Sequence, residues 1–112
     1  MAEAAIPFAE TFRFVLQRTY FNTGFFNVSV AAQTYLGSDG ETIELFLGDA
    51  QNAALGTINR TANPNRTPRV MGGAALRDWF QIHSHEMATI SVQVLSPTSI
   101  RLASAGERKD AG

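Results

Sequence analysis

The sequence predicts a mostly β fold, six or seven short strands with two short helices, closed or nearly closed into a barrel. Three observations carry this expectation. Residues 42–47 and 88–95 alternate apolar and polar side chains, the period-two pattern of half-buried strands. Turn formers such as Ser38-Asp-Gly40, Gly48-Asp-Ala-Gln-Asn52, Asn63-Pro-Asn65 and Ser96-Pro-Thr98 separate the alternating segments at short intervals. Only residues 74–83 sustain a helical spacing of apolar side chains. Closure protects the edges of a sheet this small.

Each element follows in order. Phe12, Phe14 and Leu16 alternate with Arg13 and Gln17, giving a first strand within 11–18. Phe21-Asn-Thr-Gly24 breaks it with turn formers, and residues 25–30 resume as a second strand. Residues 31–36 allow one or two helical turns, with Gly37 as a natural stop. In the strand over 42–47, Ile43, Leu45 and Leu47 share a face, and 54–59 makes a weaker strand. The proline- and asparagine-rich stretch 63–68 cannot carry a regular ladder, and 69–71 is a short strand before Gly72-Gly73. In the helix over 74–83, Leu76, Trp79 and Phe80 fall on one face and belong to the core. Ile90, Val92 and Val94 point inward from the next strand, and 99–103 closes the fold.

A chain of 112 residues fits one domain, with tails over 1–9 and 104–112 around a barrel over 10–103. Hydrophobic residues make up 45% of it, enough for a real core without a staple. With no cysteine, a disulfide framework, a thiolate metal site and a cysteine nucleophile are all excluded. No apolar run approaches the roughly 18 residues that cross a bilayer. Met1-Ala-Glu-Ala-Ala-Ile-Pro-Phe8 lacks the basic start and apolar stretch of a secretory signal. A cytoplasmic protein is the expectation.

Net charge is -1, so the total carries no basic signal for nucleic acid. Its distribution does. No acid lies between Asp49 and Asp78, where Arg60, Arg66, Arg69 and Arg77 stand. Eight of nine basic residues are arginine, whose planar fork suits phosphate and guanine. A GC-rich genome explains that bias equally well.

His83-Ser-His85-Glu86 is the one cluster resembling a metal site, but its spacing fits no strong zinc pattern. A polar helix end, with His83 favourable near a C-terminus, is the preferred reading. No Gly-x-Ser-x-Gly elbow occurs, and Glu41 and Glu44 read as solvated groups. Free amides at Gly72-Gly73 could hold an anion, yet the phosphate-loop context is missing. Neither an enzyme nor a cofactor is expected. The doubled Asn-Arg-Thr at 59–61 and 65–67 is too short to count as a structural repeat.

Two polar loops remain. Residues 18–24 offer Arg18, Tyr20 and Asn22. Residues 59–69 combine Arg60, Arg66 and Arg69 with Asn59, Asn63 and Asn65, and contain no acid. Arginine reads guanine and asparagine reads adenine by paired hydrogen bonds, whereas hydroxyls and further arginines hold phosphates.

The order of elements resembles the plant-type B-three DNA-binding pseudobarrel, a fold shared with effector or target-recognition domains of bacterial restriction endonucleases. Phe26-Asn-Val-Ser-Val-Ala-Ala-Gln-Thr-Tyr-Leu36 is similar to that family's strand into a short helix. Thr42-Ile-Glu-Leu-Phe-Leu-Gly48 follows as the next strand, and Gly72-Gly-Ala-Ala-Leu-Arg-Asp-Trp-Phe-Gln-Ile-His83 resembles the helix with a Trp-Phe core pair. Met87-Ala-Thr-Ile-Ser-Val-Gln-Val-Leu95 fits the strand that follows. Phe21-Asn-Thr-Gly-Phe-Phe-Asn27 and the stretch from Gly56 to Phe80 resemble the restriction-linked bacterial branch. No proline stands at the Val28-Ser29-Val30 junction, and His85-Glu86 replaces the family's Gly-Asp.

The resemblance implies a seven-stranded open pseudobarrel with two short helices, whose two arms grip the major groove of double-stranded DNA. The arms would be residues 18–24 and 59–69. Arg60, Asn63, Asn65 and Arg66 would read bases, while Arg18, Tyr20, Asn22, Thr61 and Arg69 would mainly hold the backbone, with Asn59 in the same arm. A nuclease domain or subunit is an implied companion. The alternative is a small barrel that binds an acidic protein or peptide through the arginine-rich loop. A metal-dependent barrel enzyme around His83, His85 and Glu86 is the third reading.

Overall fold

The computed structural model describes residues 10–104, where the alternation seen in sequence becomes seven strands and three short helices. In chain order these are β1 (Thr11–Val15), α1 (Arg18–Thr23), β2 (Phe25–Asn27), a 3-10 helix (Val30–Tyr35), β3 (Thr42–Leu47) and β4 (Ala54–Asn59). They continue as β5 (Arg69–Met71), α2 (Gly73–His83), β6 (Thr89–Ser96) and β7 (Ser99–Ser104). β7 takes in Ser104, one residue of the expected C-terminal tail. Residues 1–9, which held the reading against a secretory signal, lie outside the described residues. Among the described residues no helix is long and apolar enough to cross a membrane.

The strands form one sheet in the order β1-β6-β7-β3-β4-β5-β2. All its pairs are antiparallel except β3 with β7. The edge strands β1 and β2 share no ladder; aromatic side chains close the gap between them. Phe14 stacks on Phe26 with ring centroids 4.2 Å apart and planes within 8°. Tyr20 and Phe80 meet Phe14 edge-on at 5.8 Å and 6.4 Å, a favoured geometry for aromatic pairs. The result is a nearly closed barrel, as the sequence predicts.

Alternation decides which side chains fill it. Ile43, Leu45, Ile58, Val70, Ile90, Val92, Val94, Ile100 and Leu102 are all fully buried. A slip of one residue in any of these strands would turn its apolar set out to water. Each such side chain contributes about 1.5–3 kcal/mol. α2 packs on α1, β2 and β4, and it buries Leu76, Trp79 and Phe80 as its spacing predicts.

Two local expectations need correction. Residues 18–24 are not a loop: α1 occupies 18–23, Gly24 caps it, and Tyr20 is buried in the core. The segment is a poor intrinsic helix former, with two threonines and an asparagine. Tertiary contacts hold it instead. Tyr20 packs between Phe14 and Phe25, and the Gln81 side-chain amide donates to the Phe21 carbonyl at 3.0 Å. The second correction is at 25–36: the strand expected over 25–30 stops at Asn27, and a helix of the tighter 3-10 type starts at Val30 and ends on extended Leu36, not on Gly37. Gly37 instead donates its N–H to the Pro97 carbonyl at 2.9 Å.

At the end of that helix the Tyr35 hydroxyl donates to Glu10 Oε1 at 3.3 Å. The Glu10 carboxylate repels a phenolate and so raises the Tyr35 pKa above its ordinary 10.0. Glu10→Gln is expected to bring Tyr35 back down toward that value in an ultraviolet titration of the phenol. An unchanged titration would mean that the two groups do not meet in solution.

Candidate nucleic-acid interface

The outward face of β2, β5 and β4 follows from what points in. Phe26, Val70, Gly56 and Ile58 are buried, so their neighbours Phe25, Asn27, Arg69, Met71, Leu55, Thr57 and Asn59 face out. The ladders align Asn27, Arg69 and Asn59 in one row, and Phe25, Met71 and Thr57 in the next. Side-chain contacts fix the first row. Arg69 Nε donates to Asn27 Oδ1 at 3.0 Å, and its guanidinium lies 4.3 Å from the centre of the Phe25 ring. Asn27 Oδ1 also accepts from Asn63 Nδ2 at 3.0 Å, which ties the row to the loop above it.

That loop, residues 60–68, is built from the doubled Asn-Arg-Thr. Asn59 Oδ1 accepts from the Thr61 N–H at 2.8 Å and from its hydroxyl at 2.9 Å. Asn65 Oδ1 accepts from the Thr67 N–H at 3.3 Å and from its hydroxyl at 2.8 Å. The two copies therefore share one turn motif, with asparagine bracketing the threonine two positions on.

The arginine inside each bracket meets a different fate. Arg60 turns inward: Nε donates to Gly37 O at 2.8 Å, and Nη2 donates to Gln33 O at 2.9 Å and Leu36 O at 3.0 Å. It supplies donors to carbonyls at the end of the 3-10 helix, where backbone acceptors run out of helical partners. With Nε and Nη2 directed at the protein, only Nη1 is left, so the expectation that Arg60 reads bases is corrected: it has no free paired fork to offer a base. Arg66 turns outward, exposed, with no side-chain hydrogen bond or ion pair among the described residues. Its backbone is left-handed at φ 64°, a conformation costing a non-glycine residue about 1–2 kcal/mol. The Arg66 N–H to Asn63 O bond at 2.9 Å helps hold it there.

Asn63 is half-buried, and its Nδ2 also donates to Thr67 O at 3.2 Å. Thr61 and Asn65 are exposed. Asn27, Asn63, Pro64, Asn65 and Thr67 line an open recess of about 430 Å³ between loop and sheet. Asn27 is the residue that sequence reasoning missed. Its signal was an outward position between Phe26 and Val28, filled by a type depleted in strands.

The two expected arms leave opposite ends of one three-residue ladder. α1 and Gly24 enter β2 beside Met71, whereas residues 60–68 enter β5 beside Asn27, at the other end of the ladder. Tyr20 is a core residue and is not displayed on the surface. Asn22 is exposed at the far end, and Arg18 forms an exposed pair with Glu86 at 3.4 Å. Such a pair adds little stability.

The histidines lie elsewhere. His83 is on the last turn of α2, 6.2 Å from Trp79 between ring centres, and His85 Nδ1 sits 3.0 Å from Glu86 O. Among the described residues no group of three or more His, Cys, Asp or Glu could hold a metal ion. The amides of Gly72 and Gly73 are taken up by the Gly24 carbonyl, at 2.9 Å and 3.1 Å, so no free anion cradle remains there. No protein-family model matches the chain, and no curated protein sequence matches it.

Proposed function

We propose that this domain binds double-stranded DNA sequence-specifically, with the 60–68 loop in the major groove and the β2-β5-β4 face beneath it. One observation carries the reading. An arginine with free donors is held out at a fixed, left-handed position beside a row of asparagine and arginine side chains locked by their own contacts. Fixed donors lose less entropy on binding, and strained backbone concentrates at working sites. Loop and row carry Arg66 and Arg69 and no acid.

Arg66 reads base edges in this proposal, and Asn65, whose Oδ1 accepts from Thr67, offers only its Nδ2 donors. Thr61 and the terminal nitrogens of Arg69 reach phosphate or base, and Arg60 is a positioning residue. Arg18 and Asn22 fall outside the surface. The resemblance to restriction-linked B-three domains supports the same reading, and it assigns a binding role with no catalytic step. A net charge of -1 predicts weak nonspecific binding and a shallow salt dependence.

Arg66→Ala is the test. Affinity for a preferred and a random duplex, at two salt concentrations, separates the outcomes. Base reading predicts a loss of about 1–3 kcal/mol on the preferred duplex and much less on the random one. An equal loss on both, with the salt slope falling by about one, would reduce Arg66 to a phosphate contact. No change on either would remove the loop from DNA binding and favour an acidic protein partner.

A further inference from the structure

We infer that the same face recognises thymine through its 5-methyl group, beside the positions read by hydrogen bonds; this rests on the DNA reading above. The outward face changes chemistry between adjacent rows. Below the row Asn27, Arg69 and Asn59 come Met71 and, further along β4, Leu55. Leu55 is 67% exposed and Met71 is 40% exposed, two of the large apolar side chains that stand exposed among the described residues. Met71 faces Thr57, and Leu55 is two residues from Thr57 on the same strand and face, so the two are diagonal neighbours. Phe25 does not join them, because the Arg69 guanidinium covers its ring.

The dimensions match one groove. Leu55 and Asn59 are separated by about 13 Å at ~3.3 Å per residue, against a major groove about 12 Å wide. Met71, one row or about 7 Å from Asn59-Arg69-Asn27, therefore falls within a groove laid on that row, and Leu55 falls at its edge. Every base pair in that groove presents donors or acceptors, and thymine alone among the unmodified bases adds a methyl group. A polar edge pressed on Leu55 or Met71 would lose its water without a replacement partner. A methyl group loses none. Exposed Glu44, opposite Leu55 on β3, repels phosphate at that edge, while Arg66 and Arg69 lie on the loop side, where the Arg60 N–H holds Asp39 Oδ1 at 2.7 Å.

The test replaces each thymine of the preferred duplex, one at a time, with deoxyuridine, which lacks only the methyl group. The protein is expected to bind about fourfold more weakly at one or two positions, the effect of one buried methyl. Leu55→Ser or Met71→Ser should abolish the difference between thymine and uracil at the matching position. Both side chains are exposed, and an unchanged thermal midpoint confirms folding in each variant. Equal binding of thymine and uracil everywhere, or a preferred site without thymine, would overturn the inference while leaving the DNA reading intact. So would a Leu55→Ser variant that turns a dimer into a monomer, since a second copy would then own the patch. Absence of any preferred duplex would instead overturn the DNA reading itself.

Discussion

Gly24→Ala is expected to destabilise the domain by about 3 kcal/mol or more, lowering its thermal midpoint by at least ~12 °C. Two effects add. Gly24 has φ 94°, a region that L side chains rarely adopt. A Cβ there would also stand 2.2 Å from Gly73 O and 2.9 Å from Arg77 N, both backbone atoms that cannot swing away. Strain costs about 1–2 kcal/mol, and forced overpacking adds about 1–3 kcal/mol. Small domains have only ~5–15 kcal/mol in total, so the variant should approach the limit of folding. Gly40→Ala provides the control. Gly40 is also left-handed, at φ 87°, but nothing lies within 4 Å of its added Cβ, so backbone strain acts alone. Equal, small losses at the two sites would contradict the close junction of α1 with α2.

Arg60→Ala should behave unlike Arg66→Ala although both arginines sit in the same tripeptide. Removing the Arg60 guanidinium strips three carbonyls, of Gln33, Leu36 and Gly37, of their donor. Hydrogen bonds from charged groups contribute about 1.5–3 kcal/mol, and these are part-buried. A stability loss of about 2–3 kcal/mol is expected in urea unfolding. DNA affinity should fall by a similar factor on preferred and random duplexes, because the whole loop loses its anchor. Arg60→Lys should restore only part of the stability, since one ammonium cannot reproduce the planar fork. A selective loss on the preferred duplex with unchanged stability would return Arg60 to the base-reading set.

Local pattern explains what was legible in the sequence. β3, β4 and β5 fall where alternation and turn formers place them, since strand faces depend on a period of two that a sequence displays directly. Trp79 and Phe80 follow from helical spacing in the same way. α1 was hidden because Arg18-Thr-Tyr-Phe-Asn-Thr23 has weak helix propensity, and the contacts that hold it come from Phe14, Phe25 and Gln81. Arg60 and Arg66 could not be told apart either. Their immediate neighbours are identical, and only the 3-10 helix, more than twenty residues earlier in the chain, draws one of them inward. Asn27 was within reach, as a polar residue on the outer side of a short strand. What joined it to the site was its contact with Asn63, 36 positions away.

Selection from a randomised duplex pool, followed by sequencing of the bound fraction, tests the central claim most directly. A loop and face with fixed donors should enrich one motif of a few base pairs, and Arg66→Ala should relax the preference at a position within it. Guanine is the base expected at that position, because its O6 and N7 match the arginine fork. A bound fraction indistinguishable from the starting pool, obtained with protein folded by thermal melting, would contradict the account.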